Sequence, residues 1–372
     1  MRYLDKARLC DAVSRRVKAD LAAQNVSQVA IAVWQDGEEM LTAGFGGVDA
    51  HTMFRMASMT KPVTAVAVMI AVERGLLSLD DPIEQYLPEF ADRRVAVRDA
   101  EGVVIGDEPA HRKITPRLLL SHSSGLVYAD PHGRFNAMTE EDRRTLENGV
   151  AVCAELVLAF QPGESQSYSN TIAWDPLLLI LERLTGMDYL TFITKEIFQP
   201  CGMVDTTYLP TDEQYDRMAT MHNLVDGKGV EVPVKRGFYE GYPNTHYLGC
   251  AGLYSTLSDY VKFALMLQNG GEYNGHRILS AASVAEMATP QLSIEANPGA
   301  EPWGLSMRVI RGEEYPYLPA GTFGWSGAYG THFWVDPVNR ITAVYLKNSK
   351  YSDEAGIQTA RHFEEDVYTS LV

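Results

Sequence analysis

The stretch FRMASMTKPVTAVAVMIAV, residues 54–72, places Ser58 and Lys61 at the head of a long apolar run. Alanine, valine and methionine fill most of residues 65–70, which predicts a helix buried on most sides and ended by Gly75. Ser58 and Lys61 are three residues apart, so at the first helical turn the hydroxyl and the amine lie on one face and can meet. A lysine at the head of a buried helix is costly without a role. The spacing therefore predicts a serine nucleophile with a lysine base.

A second polar group, Tyr168-Ser169-Asn170, follows the turn signal Pro162-Gly163. A tyrosine close to a lysine can share its proton, accepting one from a serine and returning one to a leaving group. The asparagine offers a carbonyl to the lysine and an amide to a substrate. These properties make Tyr168 a candidate catalytic residue and Asn170 a candidate substrate-binding residue. Taken alone, the motif is better explained by a loop tyrosine that packs on its ring.

A third group, WSGAYG at residues 325–330, precedes a predicted strand at 331–335. Its glycines indicate a close approach of the backbone or unusual backbone dihedrals. A strand edge of this kind can lend the Ala328 N–H to an oxyanion hole, together with the N–H of Ser58. The alternative is a tight loop around a packed Trp325.

Strand patterns lie near both ends of the chain and helical patterns lie between them. Helices are predicted at residues 4–24, 175–184, 258–268 and 352–371, and strands at 29–34, 40–45, 305–310, 331–335 and 340–347. The predicted fold class is α/β (α+β), with an antiparallel sheet built from both termini, flanked by helices, and an inserted mostly helical domain. The predicted sheet domain is 1–60 plus 241–372, the helical domain is 61–240, and the active site lies at their interface.

Composition excludes several classes of partner. The 372 residues carry a formal net charge of −16 and a pI near 5.0, without a basic cluster, so we expect no nucleic acid or anionic membrane as partner. The first residues form no signal-peptide pattern, and no apolar run is long enough to span a bilayer, so we expect a cytoplasmic protein. Four cysteines without CxxC spacing predict reduced thiols and no metal site.

Taken together, the three groups resemble the serine β-lactamase and penicillin-binding superfamily of the class C type. The segments that carry the likeness are Ser58 to Lys61, Ile114-Thr115 with LLLSHSSGL at 118–126, Pro162-Gly163 before Tyr168 to Asn170, AGLYST at 251–256 before Asp259, and Gly330-Thr331 leading to Val335-Asp336-Pro337. The resemblance implies a β-lactamase-like fold. It also implies catalysis by Ser58, Lys61 and Tyr168, and no cofactor.

Within that superfamily the chain looks closest to the family VIII carboxylesterases, through Ser58-Met59-Thr60-Lys61-Pro62 and the WSG at 325–327. In β-lactamases the third motif begins with lysine, where this chain has Trp325. Without that cation, binding of a substrate carboxylate should weaken, and the indole should favour neutral ligands. The resemblance thus implies a serine carboxylesterase for neutral, short-chain esters. The predicted substrate-binding residues are Asn170, Trp325, Ser326, Gly327 and Tyr329.

Other functions stay open on the same residues. A β-lactamase or D-amino-acid peptidase, or an acyltransferase, would use the same nucleophile, and a non-catalytic binding protein would need neither Lys61 nor Tyr168. His122 is expected to be structural, bonded inside its own turn, since the chain has no GxSxG nucleophile elbow. His332 either lines the site or points away along its strand. The sequence does not determine the oligomeric state.

Overall fold

The computed structural model describes residues 1–127, 133–169, 172–225, 228–292, 302–312, 315–350 and 354–372. The helices are α1 (Lys6–Ala22), α2 (Thr60–Glu73), α3 (Pro116–Leu120), α4 (Leu146–Glu155), α5 (Asp175–Thr185), α6 (Tyr189–Ile193), α7 (Gln199–Cys201), α8 (Asp212–Asp216), α9 (Leu257–Gln268), α10 (Ala281–Met287) and α11 (Glu354–Thr369). Short 3-10 turns occur at Ala57–Met59, Ile83–Gln85, Pro88–Phe90 and Ile172–Trp174, and a π-helical turn, Thr194–Phe198, joins α6 to α7.

The strands follow the same chain order. They are β1 (Val29–Gln35), β2 (Glu38–Phe45), β3 (Met53–Arg55), β4 (Arg94–Arg98), β5 (Val104–Pro109), β6 (His222–Val225), β7 (Lys228–Glu231), β8 (Phe238–Tyr239), β9 (Tyr242–Pro243), β10 (Tyr254–Thr256), β11 (Glu272–Tyr273), β12 (His276–Arg277), β13 (Arg308–Val309), β14 (Phe323–Ser326), β15 (His332–Asp336), β16 (Ile341–Leu346) and β17 (Ser349–Lys350).

The main sheet has six antiparallel strands in the order β13-β14-β15-β16-β1-β2. Strand β1, from the N-terminal hairpin, pairs with β16 near the C-terminus, so that Ala30 lies opposite Leu346 and Gln35 lies opposite Ile341. The two ends of the chain therefore build one sheet. This confirms the predicted fold class.

Each face of the sheet packs on a different hydrophobic layer. On one face, α1 and α11 cover a cluster that includes Ile31, Val33 and Tyr345. On the other face, α9 and the large central core cover Ala32 and Phe333. Because neighbouring residues in a strand point to opposite faces, side chains that are adjacent in sequence enter different layers.

Helix α2 is buried all round, as its composition predicts. Residues 60–71 are all buried, and Gly75 follows the helix with a φ of 67°, a left-handed conformation that glycine adopts without strain. The start of the helix differs from the prediction. Met53–Arg55 pairs with β10, and the helix begins only at Thr60 after a 3-10 turn. The nucleophile candidate thus lies just before the helix rather than within it.

Two regions depart from the predicted elements. The central part of the chain contains the predicted helices and, in addition, the hairpin β4–β5 and the pair β6–β7. The predicted strand at 305–310 is wrong for most of its length, because the chain turns at Ser306, whose φ is 76°, and only Arg308–Val309 pairs with β14. The domain boundaries at residues 60 and 240 stay a prediction.

No helix in the described part of the chain is long and apolar enough to span a bilayer.

Candidate active site

Ser58 lies in the 3-10 turn that leads into α2. Its neighbour Ala57 has a φ of 47°, a region that residues with a Cβ rarely adopt. The turn is held from two sides: the Met56 N–H donates to the Leu253 carbonyl at 2.9 Å, and the Met56 carbonyl accepts from the Thr331 hydroxyl at 3.0 Å. Strained backbone of this kind persists where the surroundings fix it. These two bonds therefore fix the backbone that leads into Ser58.

Lys61 is fully buried directly behind this serine. Its ammonium donates to the Ser58 hydroxyl oxygen at 3.1 Å and to the Cys250 carbonyl at 3.0 Å. As a neutral amine, the same nitrogen would accept the serine proton along the same line. Burial raises the pKa of the Cys250 thiol to about 12, so that thiol stays neutral beside the lysine. The geometry suits a nucleophile and its base.

The loop that supplies the Cys250 carbonyl is itself anchored. The preceding Gly249 donates its N–H to the Asp175 carboxylate at 3.1 Å and accepts the Thr64 hydroxyl at 2.7 Å. Asp175 is buried and lies 3.0 Å from the ring of His246. Sequence reasoning missed this anchor, because a backbone carbonyl leaves no signal in the residue types.

Tyr168 lies beside Lys61, with the lysine nitrogen 5.0 Å from the centre of its ring. Its hydroxyl oxygen accepts a hydrogen bond from the Trp325 indole N–H at 3.2 Å. The structure thus places Ser58, Lys61, Tyr168 and Trp325 in one site. Their catalytic roles stay predictions.

Aromatic rings enclose this site. Trp303 is buried, stacks on Tyr168 with ring centres 5.7 Å apart, and meets Trp325 edge-on at 4.3 Å. The ring centre of His122 lies 4.8 Å from that of Tyr168, and the ring centre of Trp174 lies 5.4 Å from the Lys61 nitrogen. Neither Trp303 nor Trp174 lies in a motif whose spacing carries chemistry, so the sequence gives no sign that they line the site.

The glycine-rich segment approaches the nucleophile turn through Gly327. A Cβ at this position would overlap the Met56 carbonyl oxygen and the Thr331 hydroxyl. The Gly327 N–H also donates to the Thr331 carbonyl at 2.7 Å. Ala328 follows directly and is exposed. The expected part of the Ala328 N–H in an oxyanion hole with the Ser58 N–H stays a prediction.

Gly327→Ala should therefore reduce activity. The added methyl group pushes the loop away from Met56, and a displacement of about 1 Å near the reacting atoms costs on the order of a hundredfold in rate. We expect kcat/KM for an ester to fall by about one to two orders of magnitude. Gly106→Ala in β5 is the matched control, since a Cβ there meets nothing. Full activity in Gly327→Ala would show that the close approach is not needed.

Ser326 and Tyr329 do not lie as the substrate-binding prediction suggests. Trp325 pairs with Phe333 on the central-core face of the sheet, whereas Ser326 pairs with His332 on the opposite face. The Ser326 hydroxyl oxygen lies 2.8 Å from Nδ1 of the His332 ring. The other ring nitrogen of His332, Nε2, lies 2.9 Å from a carboxylate oxygen of Glu364. His332 therefore points away from Ser58, and Ser326 can contribute to the site only through its backbone.

Tyr329 is 2% exposed, and its side chain packs against Tyr239 and Arg55. Its hydroxyl donates to Glu240, its ring lies 6.3 Å from that of Tyr239, and the Arg55 guanidinium lies 5.7 Å from its centre. It therefore does not stand beside Trp325 as a wall of the pocket. Asn170, the remaining candidate, lies outside the described residues.

Comparisons with known proteins point to one family. The family described as Beta-lactamase matches residues 13–365. The chain is 34% identical over 343 residues to Protein Rv1367c of Mycobacterium tuberculosis, covering 84% of each chain. It is 28% identical over 334 residues to Esterase EstB of Burkholderia gladioli, covering 82% of this chain and 79% of the esterase. Among solved structures, EstCE1, described as a hydrolase with promiscuous acyltransferase activity, superposes with a TM-score of 0.79 at 23% identity, over 98% of this chain and 99% of its own.

Proposed function

Because the chain belongs to the beta-lactamase family of serine hydrolases, we propose that it is a carboxylesterase that hydrolyses neutral, short-chain esters through an acyl-enzyme on Ser58. One observation carries the proposal: the Lys61 nitrogen lies 3.1 Å from the Ser58 hydroxyl oxygen, at the head of a buried helix. The likeness to Esterase EstB supports the choice of an ester and the narrower resemblance to the family VIII carboxylesterases.

The proposed reaction has two steps. Ser58 attacks the ester carbonyl carbon, Lys61 and Tyr168 together take up the serine proton, and Tyr168 returns a proton to the leaving alcohol. The N–H groups of Ser58 and Ala328 hold the oxyanion, in the positive field at the start of α2. Water then attacks the acyl-enzyme and releases the acid. The steps use side chains and backbone alone.

Trp325 supports a neutral substrate. It occupies the position that the motif comparison assigns to the β-lactamase lysine, and its indole N–H donates to the Tyr168 oxygen. The tyrosine oxygen is thus bonded by a neutral donor, which would not attract a substrate carboxylate as a cation would. The support for a short acyl chain is weaker than the sequence suggested, because Tyr329 is buried elsewhere.

Acyl transfer to an acceptor other than water is a second candidate. The structural neighbour EstCE1 is described as a hydrolase with promiscuous acyltransferase activity. Both reactions share the acyl-enzyme and differ only in which nucleophile reaches it. A small-molecule ester as the partner and a cytoplasmic location remain part of the proposal.

A substrate panel tests the specificity. We expect kcat/KM to be highest for p-nitrophenyl acetate and butyrate and lower for the octanoate and for the anionic cephalosporin nitrocefin. A charge-assisted hydrogen bond contributes roughly 1.5–3 kcal/mol, so the lack of a cation should lower kcat/KM for nitrocefin by about one to two orders of magnitude. Trp325→Phe keeps an aromatic ring, though a smaller one, and removes the indole N–H, so it should reduce turnover of all esters while keeping their order.

Two outcomes would correct the proposal. Nitrocefin turnover that matches the short esters would refute the neutral-substrate argument and point to a cation from another loop. Efficient octanoate turnover would leave the charge argument standing and remove the limit to short chains.

A further inference from the structure

We propose that His122 is a positioning residue that clamps the backbone on both sides of Tyr168 and so sets the position of the tyrosine hydroxyl. The inference rests on the proposed function, in which Tyr168 moves a proton. His122 itself would not touch the substrate, since its ring is buried and packs behind the tyrosine ring.

The clamp consists of two hydrogen bonds to one residue. The N–H of Ser167 donates to the His122 carbonyl oxygen at 3.0 Å, and the N–H of Ser169 donates to the His122 Nδ1 atom at 3.0 Å. Tyr168 is the single residue between these two donors. Holding Ser167 and Ser169 restricts the backbone that carries Tyr168, and the rings of His122 and Trp303 restrict its side chain.

The backbone of His122 is shaped for this contact. Its φ of 59° is a left-handed conformation, which directs the side chain out of its own turn and across to Ser169. Neighbouring bonds dock the same two segments: the Gly163 N–H donates to the Ser123 carbonyl at 2.8 Å, and the Gln166 amide donates to the Ser121 carbonyl at 3.2 Å. The expectation that the ring bonds inside its own turn is therefore wrong.

The chemistry of the ring fits an acceptor. Nδ1 can accept from the Ser169 N–H only as the neutral imidazole with its proton on Nε2. Burial, together with the nearby Lys61 ammonium, holds the pKa of His122 well below its ordinary value. Nε2 has no hydrogen-bond partner among the described residues and lies among the Trp174 and Trp303 rings. The ring thus serves the tyrosine segment and not the nucleophile.

Two substitutions separate the acceptor from the backbone. Glycine and asparagine both tolerate the left-handed φ, but only asparagine keeps an acceptor near the position of Nδ1. We expect His122→Gly to lower kcat for p-nitrophenyl butyrate by about one to two orders of magnitude with little change in KM, the scale of a misplaced catalytic group. His122→Asn should recover most of that loss. An equal fall in kcat in both variants would overturn the clamp. A rise in KM without a change in kcat would overturn it as well.

A double-mutant cycle with Tyr168→Phe excludes a merely structural role. If His122 acts through Tyr168, His122→Gly should cost less than about threefold in the Tyr168→Phe background, because the two act as a unit. A full, multiplicative loss in that background would overturn the proposal. Full activity of Tyr168→Phe alone would refute the proposed mechanism, and the positioning role with it.

An independent measurement does not need catalysis. The NMR shifts of the His122 ring nitrogens should show the neutral tautomer with the proton on Nε2 at about pH 6, where an ordinary histidine is largely charged. An imidazolium, or a proton on Nδ1, would overturn the clamp even in an inactive protein. The expected tautomer in a protein that cleaves no ester would instead place the failure in the proposed function.

Discussion

Replacing Ser58 with alanine should abolish ester hydrolysis while the protein keeps its fold. The change removes one hydroxyl, whose only side-chain hydrogen bond in the described part of the chain comes from Lys61. Without the nucleophile no acyl-enzyme forms, and removal of a serine nucleophile costs roughly four to six orders of magnitude in turnover. Initial rates with p-nitrophenyl butyrate measure the loss, and thermal unfolding checks the fold.

Ser14→Ala is a suitable control for this substitution. Ser14 is a partly buried serine on α1, which packs on the face of the sheet away from the nucleophile. It should keep the wild-type rate. An active Ser58→Ala protein would contradict the assignment of the nucleophile. If the variant fails to fold, covalent labelling of the wild-type protein decides the assignment instead.

Lys61→Ala and Tyr168→Phe should each lower turnover by at least about two orders of magnitude, the usual scale for a lost general base. The lysine nitrogen contacts both the serine hydroxyl and the tyrosine ring, so the pair is expected to move one proton as a unit. The double variant should therefore be little worse than either single variant. Kinetics of all four proteins under the same conditions give the coupling.

Burial of Lys61 calls for a volume-matched variant. Lys61→Ala leaves a cavity at the head of α2, whereas Lys61→Met fills nearly the same space without a base. The two should lose activity alike and differ in stability. Independent, multiplicative losses from the lysine and tyrosine changes would show that the two groups do not share the proton.

Much of the fold follows from hydrophobic periodicity. Alternating and apolar runs at both ends of the chain predicted a sheet joined from the two termini, and the β1–β16 pairing confirms it. The apolar run after Lys61 predicted a helix buried all round, as observed. The failures lie where backbone geometry overrides pattern: Ser306 turns the chain out of a predicted strand, and Met53–Arg55 pairs with β10 ahead of the helix.

The candidate site was predictable to the extent that side-chain spacing carries chemistry. The i, i+3 spacing of Ser58 and Lys61 brought them together, and the motif resemblance added Tyr168 and Trp325. The match to the Beta-lactamase family confirms that resemblance. Alternation along β14 could have shown that Ser326 faces away from Trp325. The Cys250 carbonyl and the clamp on Tyr168 could not be found, because they depend on backbone groups brought together by the fold.

Covalent trapping tests the central claim most directly. The wild-type protein is treated with a fluorophosphonate, its intact mass is measured, and the modified peptide is mapped. We expect one adduct per chain, on Ser58, with labelling strongly slowed in Lys61→Met. An adduct on another residue, or no adduct in a protein that hydrolyses esters, would contradict the assignment of Ser58 as the nucleophile.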